Sequence, residues 1–290
     1  MPPSVYVNER TVNGRTHHYN AEGAVLSGHL RLPVAQHVLP QTHAALPEEG
    51  GYFTQRAEKY RLESVISTAS SYTHVTGNRS SKPGQGWTTL TTTVIEGLNV
   101  MEVVTADRIV GQIITEHPLE GYVPSINFLG TRFENLRIAG FPVEVDLDMN
   151  MIGGKPANDA TYPQDSGLIA RVKSMLSRVG DREVLPEPLR ERYNQLSSSL
   201  GSQREEVECS LVKTATGAFP GTSSGHVIRI PDFGTVVLGK VTIRHEDFNT
   251  KSGAPRKTTV SLTMIDFHFG CAIDGGVSVG TGSTNGGTSP

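Results

Sequence analysis

The chain lacks the features that identify most secreted, membrane and nucleic-acid-binding proteins. It has 2 cysteines in 290 residues, too few for a disulfide framework. No stretch approaches the ~18 to 20 apolar residues that cross a bilayer, so we expect no membrane span. Lysine and arginine are dispersed and the formal net charge is -3, which excludes the basic footprint of a nucleic-acid-binding surface.

The two cysteines and the N-terminus bear on the compartment. Cys209 and Cys271 each lie in a strand-like segment, and we expect two buried thiols in a reducing compartment, with one cross-strand disulfide as the alternative. Residues 1–10 lack the basic start, the apolar run and the small-residue cleavage site of a secretory signal. The default expectation is therefore a cytoplasmic protein.

Two long blocks, residues 87–149 and 226–281, carry the strongest pattern in the chain. Within them, segments 91–104 and 257–269 alternate apolar and polar residues, the period of half-buried antiparallel strands. β-Branched residues fill both segments, and 31 glycines and 17 prolines supply turns along the chain. The sequence predicts a mainly β protein, an antiparallel β-sandwich or a barrel-like fold.

Residues 163–205 change to a helical period. Apolar residues recur at intervals of three and four from Leu168 to Val179, and Asp165 or Ser166 can cap the start. A second, shorter apolar set follows two prolines. This spacing predicts a helical hairpin inserted between the β blocks, whose apolar stripe covers either a sheet face or a neighbouring subunit.

The composition predicts three parts of the chain. Residues 1–50 are proline-containing with little periodicity, and we expect an extended N-terminal arm that can add a strand to a neighbour's sheet. Residues 51–274 form one β domain with the helical insertion at 163–205. Residues 275–290 are rich in glycine, serine and threonine, which is typical of a flexible tail.

An acidic strand is the first candidate site. Glu144, Asp146 and Asp148 alternate with apolar residues, so on a strand they share one face. The pattern is similar to the acidic strand of jelly-roll β-glucanases, where one carboxylate attacks and another protonates the leaving oxygen. The same oxygens suit calcium. A solvated strand face is the third interpretation, and the single tryptophan, Trp87, offers little for stacking on sugars.

Histidines in the last strands form the second candidate. His245, Asp266 and His268 can converge across adjacent strands as a transition-metal site, although their spacing matches no zinc signature. Hydrogen-bonded or exposed histidines are the alternative. The sequence names no cofactor, with calcium as a candidate at the acidic strand and a transition metal as a candidate at these histidines.

The β blocks also resemble a bacterial family known as choice-of-anchor P proteins. The resemblance rests on the order of short phrases, at 96–100, 104–109, 135–143, 230–238, 262–268 and 276–280. It implies a β-rich fold, mostly of unknown function, and a protein exported and tethered at the cell surface. The family pattern has no helical hairpin and supplies no catalytic residues.

These observations favour a non-catalytic structural or binding protein over an enzyme. We expect a homo-oligomer that assembles through sheet edges and the N-terminal arm. The alternatives are a carbohydrate-active enzyme that uses the acidic strand, with carbohydrate as its partner, and a calcium-dependent adhesion module.

Overall fold

The computed structural model describes residues 10–32, 35–180, 183–200, 205–247, 256–270 and 274–289. The described residues form 22 β-strands: β1 (Thr11–Val12), β2 (Arg15–His18), β3 (Ala21–Leu32), β4 (Gln36–Gln41), β5 (Ala44–Leu46), β6 (Gly51–Leu62), β7 (Ile66–Arg79), β8 (Gln85–Val100), β9 (Val104–Pro118), β10 (Ser125–Asn127), β11 (Arg132–Glu134), β12 (Arg137–Ile138), β13 (Phe141–Pro142), β14 (Glu144–Leu147), β15 (Glu206–Ser210), β16 (Val212–Thr216), β17 (Thr222–Ser224), β18 (Val227–Ile230), β19 (Gly234–Glu246), β20 (Arg256–Phe269), β21 (Asp274–Thr284) and β22 (Gly287–Ser289). Two α-helices, α1 (Ser166–Gly180) and α2 (Glu187–Ser199), follow 3₁₀ turns at Ala157–Asp159 and Tyr162–Gln164.

Two antiparallel sheets make up most of the molecule. The smaller sheet has eight strands and is a meander in the order β6-β7-β8-β9, with β10, β11 and β12 beside β9 and β13 beside β12. The larger sheet has twelve strands, and its centre runs β18-β19-β20-β21-β3. β14 and β16 form a separate two-stranded ribbon. The prediction of a mainly β, sandwich-like or barrel-like fold with a helical insertion is confirmed.

The inner faces of the two sheets meet with glycines opposite larger side chains. An added Cβ at Gly23 of β3 would lie 2.8 Å from the Thr73 methyl group of β7, and one at Gly111 of β9 would lie 2.8 Å from Met264 of β20. Gly280 of β21 has φ +66°, which favours glycine, and an added Cβ there would lie 3.3 Å from Ile95. These close approaches allow the larger sheet to pack directly on the smaller one.

The helical hairpin covers the larger sheet. The Asp165 carboxylate accepts the Leu168 backbone N–H at 2.9 Å, so the predicted cap is present at the start of α1. The predicted apolar stripe of α1 is buried. Gly225 lies against Val179, and Tyr193 of α2 contacts His226 beside β18. Of the two predicted partners for the apolar stripe, a sheet face or a neighbouring subunit, the structure shows a sheet of the same chain.

The predicted flexible tail at 275–290 is wrong for the described residues. β21 lies between β20 and β3 and pairs with both, and β22 pairs with β2 and β20. The small residues serve close packing, because an added Cβ at Gly282 would lie 2.9 Å from the Thr91 methyl group of the smaller sheet. A glycine-, serine- and threonine-rich composition, which is typical of a linker, here belongs to β21, a strand that is paired on both sides.

The predicted N-terminal arm also needs correction. β3 pairs with β21 from Ala21 to Leu32, and β4 and β5 continue the larger sheet. Every strand within residues 11–46 thus pairs with another strand of its own chain. Residues 1–9 and 33–34 of the predicted arm lie outside the described residues. Cys209 is a buried free thiol, and Cys271 lies outside the described residues as well.

Candidate functional site

The three carboxylates of the predicted acidic strand do not all lie on one strand. Glu144 and Asp146 are exposed on β14, and Asp146 lies 3.8 Å from the Lys213 ammonium of β16. Asp148 follows the end of β14, where its carboxylate accepts the Asn150 backbone N–H at 3.0 Å. Two of the three carboxylates therefore share a solvent face and the third closes a turn. The carbohydrate-enzyme and calcium-module hypotheses stay predictions from the sequence.

Asp266 and His268 do come together, on β20. The Asp266 carboxylate accepts from Ser278 at 2.9 Å and from the Lys240 ammonium at 2.5 Å, and His268 lies 3.5 Å away. Burial alone would raise the pKa of Asp266, but the hydrogen bonds and charges of His268 and Lys240 hold that pKa below its usual value. A lysine ammonium thus already balances this carboxylate.

His245, the third predicted metal ligand, lies apart from that pair. It is buried on β19, with Nδ1 3.2 Å from the Thr258 hydroxyl and Nε2 3.5 Å from the Asp247 carboxylate. Among the described residues there is no cluster of three histidine, cysteine, aspartate or glutamate side chains placed to hold a metal ion.

A buried histidine pair, His17 and His117, is the feature that sequence reasoning missed. His17 of β2 stacks on Trp87 of β8 with ring centroids 4.9 Å apart, and its centroid lies 4.5 Å from that of His117 on β9. Trp87 and His117 are register partners in the smaller sheet. Both histidines are at most 1% exposed. Strand alternation could have placed Trp87 inside, but the meeting with residue 17 depends on the packing of two sheets.

The histidine pair is short of hydrogen-bond partners. His17 donates to or accepts from Thr288 at 3.3 Å through Nδ1, while His17 Nε2 and both ring nitrogens of His117 have no hydrogen-bond partner among the described residues. Burial, with a smaller contribution from the charge of the Lys155 ammonium, lowers the pKa of His117 to about 3. Burial also depresses the pKa of His17, with a smaller contribution from His117. Both rings are therefore neutral at physiological pH.

A surface pocket of about 280 Å³ lies beside this end of the sandwich. Its walls are His18, Tyr19, Asn20, Leu46, Glu48, Lys257, Asn285 and Gly287. His18 connects two polar groups there: its Nδ1 lies 2.5 Å from the Glu48 carboxylate and its Nε2 lies 2.5 Å from the Ser289 hydroxyl. Arg10 also contacts Glu48, at 3.4 Å.

Strand β6 is a free edge of the smaller sheet. β6 pairs with β7 over its whole length and with no other described strand. Both of its faces are exposed, and the aromatic side chains Tyr52 and Phe53 are 69% and 48% exposed. Such a strand presents unpaired backbone groups beside apolar side chains, which is a template for a further strand.

Comparison with known proteins gives a family without an assigned activity. The family model described as "Domain of unknown function (DUF8256)" matches residues 17–244, so the chain belongs to that family. No curated protein and no solved structure matches the chain. None of the described helices is long and apolar enough to span a membrane.

Proposed function

We propose that this member of the DUF8256 family is a structural protein that assembles with copies of itself through the edge strand β6. The observation that carries the proposal is the unpaired edge of β6, a strand of 12 residues with exposed Tyr52 and Phe53. Pairing β6 with its copy would join two eight-stranded sheets into one continuous sheet and satisfy the backbone groups of both edges.

The edge is weakly protected in its first half. Natural edge strands avoid aggregation through charged side chains, proline, bulges or a covering loop. Residues 51–55 contain no charged side chain and no proline, and the left-handed φ of Lys59, 53°, bends the strand only near its end. A monomer would leave Phe53 on a surface that a second copy can cover.

The charges of β6 favour a second copy as the partner. Arg56 and Glu58 share one strand face and form an ion pair at 3.3 Å within the chain. In an antiparallel pair centred on Ala57, each Arg56 faces the Glu58 of the other copy, so the strand is complementary to itself. The sequence hypothesis of assembly through sheet edges is thereby narrowed to one strand, and residues 11–46 are not needed for it.

Charge exchange on β6 tests this proposal. Sedimentation velocity should show the wild type shifting from monomer to dimer as its concentration rises, because a pairing of β6 with its own copy closes at two chains. Arg56→Glu or Glu58→Arg alone places like charges opposite each other and should shift the protein towards monomer. The double exchange restores opposite charges and should restore assembly.

A matched control is available in the same sheet. Arg132 and Glu134 form the same kind of exposed pair on β11, 2.6 Å apart. Arg132→Glu should leave the assembly unchanged. A wild type that stays monomeric across a hundred-fold range of concentration contradicts the proposal, as does a double exchange that fails to restore what the single changes remove.

A further inference from the structure

Ser289, His18 and Glu48 form a hydroxyl–imidazole–carboxylate chain on the larger sheet. His18 lies on β2, Ser289 lies on the neighbouring β22, and Glu48 follows β5. The hydroxyl contacts Nε2 and the carboxylate contacts Nδ1, each at 2.5 Å. This is the arrangement in which a base contacts a nucleophile and a third group orients the base.

The direction of proton donation follows from the carboxylate. The hydrogen bond from His18 lowers the pKa of Glu48, and the charges of His18 and Arg10 act in the same direction. An ionised carboxylate only accepts hydrogen bonds, so Nδ1 of His18 carries the proton that is donated to Glu48. In the neutral ring Nε2 is then an acceptor, and the Ser289 hydroxyl donates to it.

The surroundings of this chain leave room for a substrate. His18 and Glu48 both line the pocket of about 280 Å³, and Ser289 is two residues beyond the pocket residue Gly287 on β22, hence on the same strand face. Lys257 lines the same pocket, and its ammonium also pairs at 2.7 Å with Glu246, which is not among the pocket residues. A cation in this position suits the negative charge that develops on an attacked carbonyl oxygen.

The chain contains a second hydroxyl–imidazole–carboxylate set, which differs from the Ser289 set in its access to solvent. Thr258, His245 and Asp247 are in contact at 3.2 and 3.5 Å, but the Thr258 hydroxyl belongs to a residue that is 2% exposed. No substrate can reach that hydroxyl, and its distances are longer. The Ser289 set differs from this buried, structural set because two of its members, His18 and Glu48, line a surface pocket.

We propose that Ser289, His18 and Glu48 form an acyl-transfer site that hydrolyses short-chain carboxylic esters. Ser289 Oγ bonds to the carbonyl carbon while its proton passes to His18 Nε2. The bond from that carbon to the leaving oxygen breaks, and the leaving alcohol takes the proton from His18. Water then attacks the acyl-serine ester and gives a proton to His18, which returns it to Ser289 as the carboxylic acid leaves.

Hydrolysis of p-nitrophenyl acetate and labelling by a fluorophosphonate probe test the site. The full chain should turn over the ester above the buffer rate, and mass spectrometry should place the phosphonyl group on Ser289. Ser289→Ala should abolish labelling, and His18→Gln should lower the hydrolysis rate by about 100-fold or more. Glu48→Gln should lower the rate less, because Glu48 orients His18 and neither bonds to the substrate nor transfers a proton to it.

His245→Gln is the control, since it removes the buried histidine of the contrasting set and should leave the rate unchanged. Circular dichroism melting of each variant separates loss of activity from loss of fold. Absence of turnover and labelling in the folded wild type overturns the proposal. Labelling that persists in Ser289→Ala, or that maps to another residue, overturns it equally.

Discussion

Acid should unfold this protein, because three histidines are buried as neutral rings. Burial lowers the pKa of His226 to about 4, burial together with the Lys155 charge lowers that of His117 to about 3, and burial is also the main cause that depresses the pKa of His17. The unfolded chain takes up these protons near pH 6.5, the usual pKa of histidine, whereas the folded protein does not. Stability is therefore full above about pH 6.5 and is lost as the pH falls towards the folded values.

The expected loss of folding stability at low pH is large enough to measure. At about pH 5 an unfolded histidine has gained about 2 kcal/mol from proton binding that a folded histidine of strongly depressed pKa has not. Three such residues remove about 6 kcal/mol, a large part of the 5 to 15 kcal/mol that stabilises a typical domain. We expect the urea midpoint to fall steeply between about pH 6.5 and 5. The slope of the free energy of unfolding against pH should correspond to an uptake of about three protons on unfolding.

Trp87 provides the assay and His117 the critical variant. Trp87 is the single tryptophan, is 0% exposed and stacks on His17, so its fluorescence reports on the histidine pair. His117→Phe removes one titrating ring and its two unpartnered nitrogens, and it should reduce the slope by one proton. His37→Gln, at an exposed position, should leave the slope unchanged. If His117→Phe and the wild type show the same pH dependence, the reasoning is refuted.

Three further predictions concern packing, charge and thiol reactivity. Gly77→Ala adds a methyl group 2.5 Å from the Tyr19 ring and should destabilise the fold by about 1 to 3 kcal/mol in urea unfolding, whereas Gly154→Ala, with nothing within 4 Å, should not. Asp266→Asn should lower the free energy of unfolding at neutral pH. Because the folded pKa of Asp266 is depressed, the difference from wild type should shrink as the pH falls below 3.8, the usual pKa of aspartate, and a difference that stays constant contradicts this. Burial raises the pKa of the Cys209 thiol to about 12, so in a variant with the other cysteine replaced by serine a thiol reagent should react only on unfolding, and fast reaction of the native protein would show that the site is open.

Local patterns predicted the elements whose contacts are local. The alternation at 91–104 lies in β8 except for the turn at 101–103 and the first residue of β9, that at 257–269 lies in β20, and the stripe from Leu168 to Val179 lies in α1. In each case one period places side chains on one face regardless of the partner. The residue at the start of α1 was readable for the same reason, because Asp165 caps a backbone N–H only three residues away.

The acidic strand shows where such patterns stop. Alternation placed Glu144, Asp146 and Asp148 on one face, but β14 ends at Leu147 and Asp148 closes a turn. Strand ends are set by pairing with a partner, here β16, which lies more than 60 residues later in the chain. Periodicity carries no information on where that partner stops.

The sequence by itself determined that this chain is built from antiparallel strands with one helical hairpin, since those features follow from the period of apolar residues along each segment. Only the tertiary structure decided that the glycine-rich C-terminal region is a central strand, that His17 meets His117, and that Ser289 reaches His18 and Glu48. Each of these contacts joins residues far apart in the chain. Their closeness depends on which strands pair and how tightly two sheets approach, and small residues such as Gly23 and Gly282 are what permit that approach.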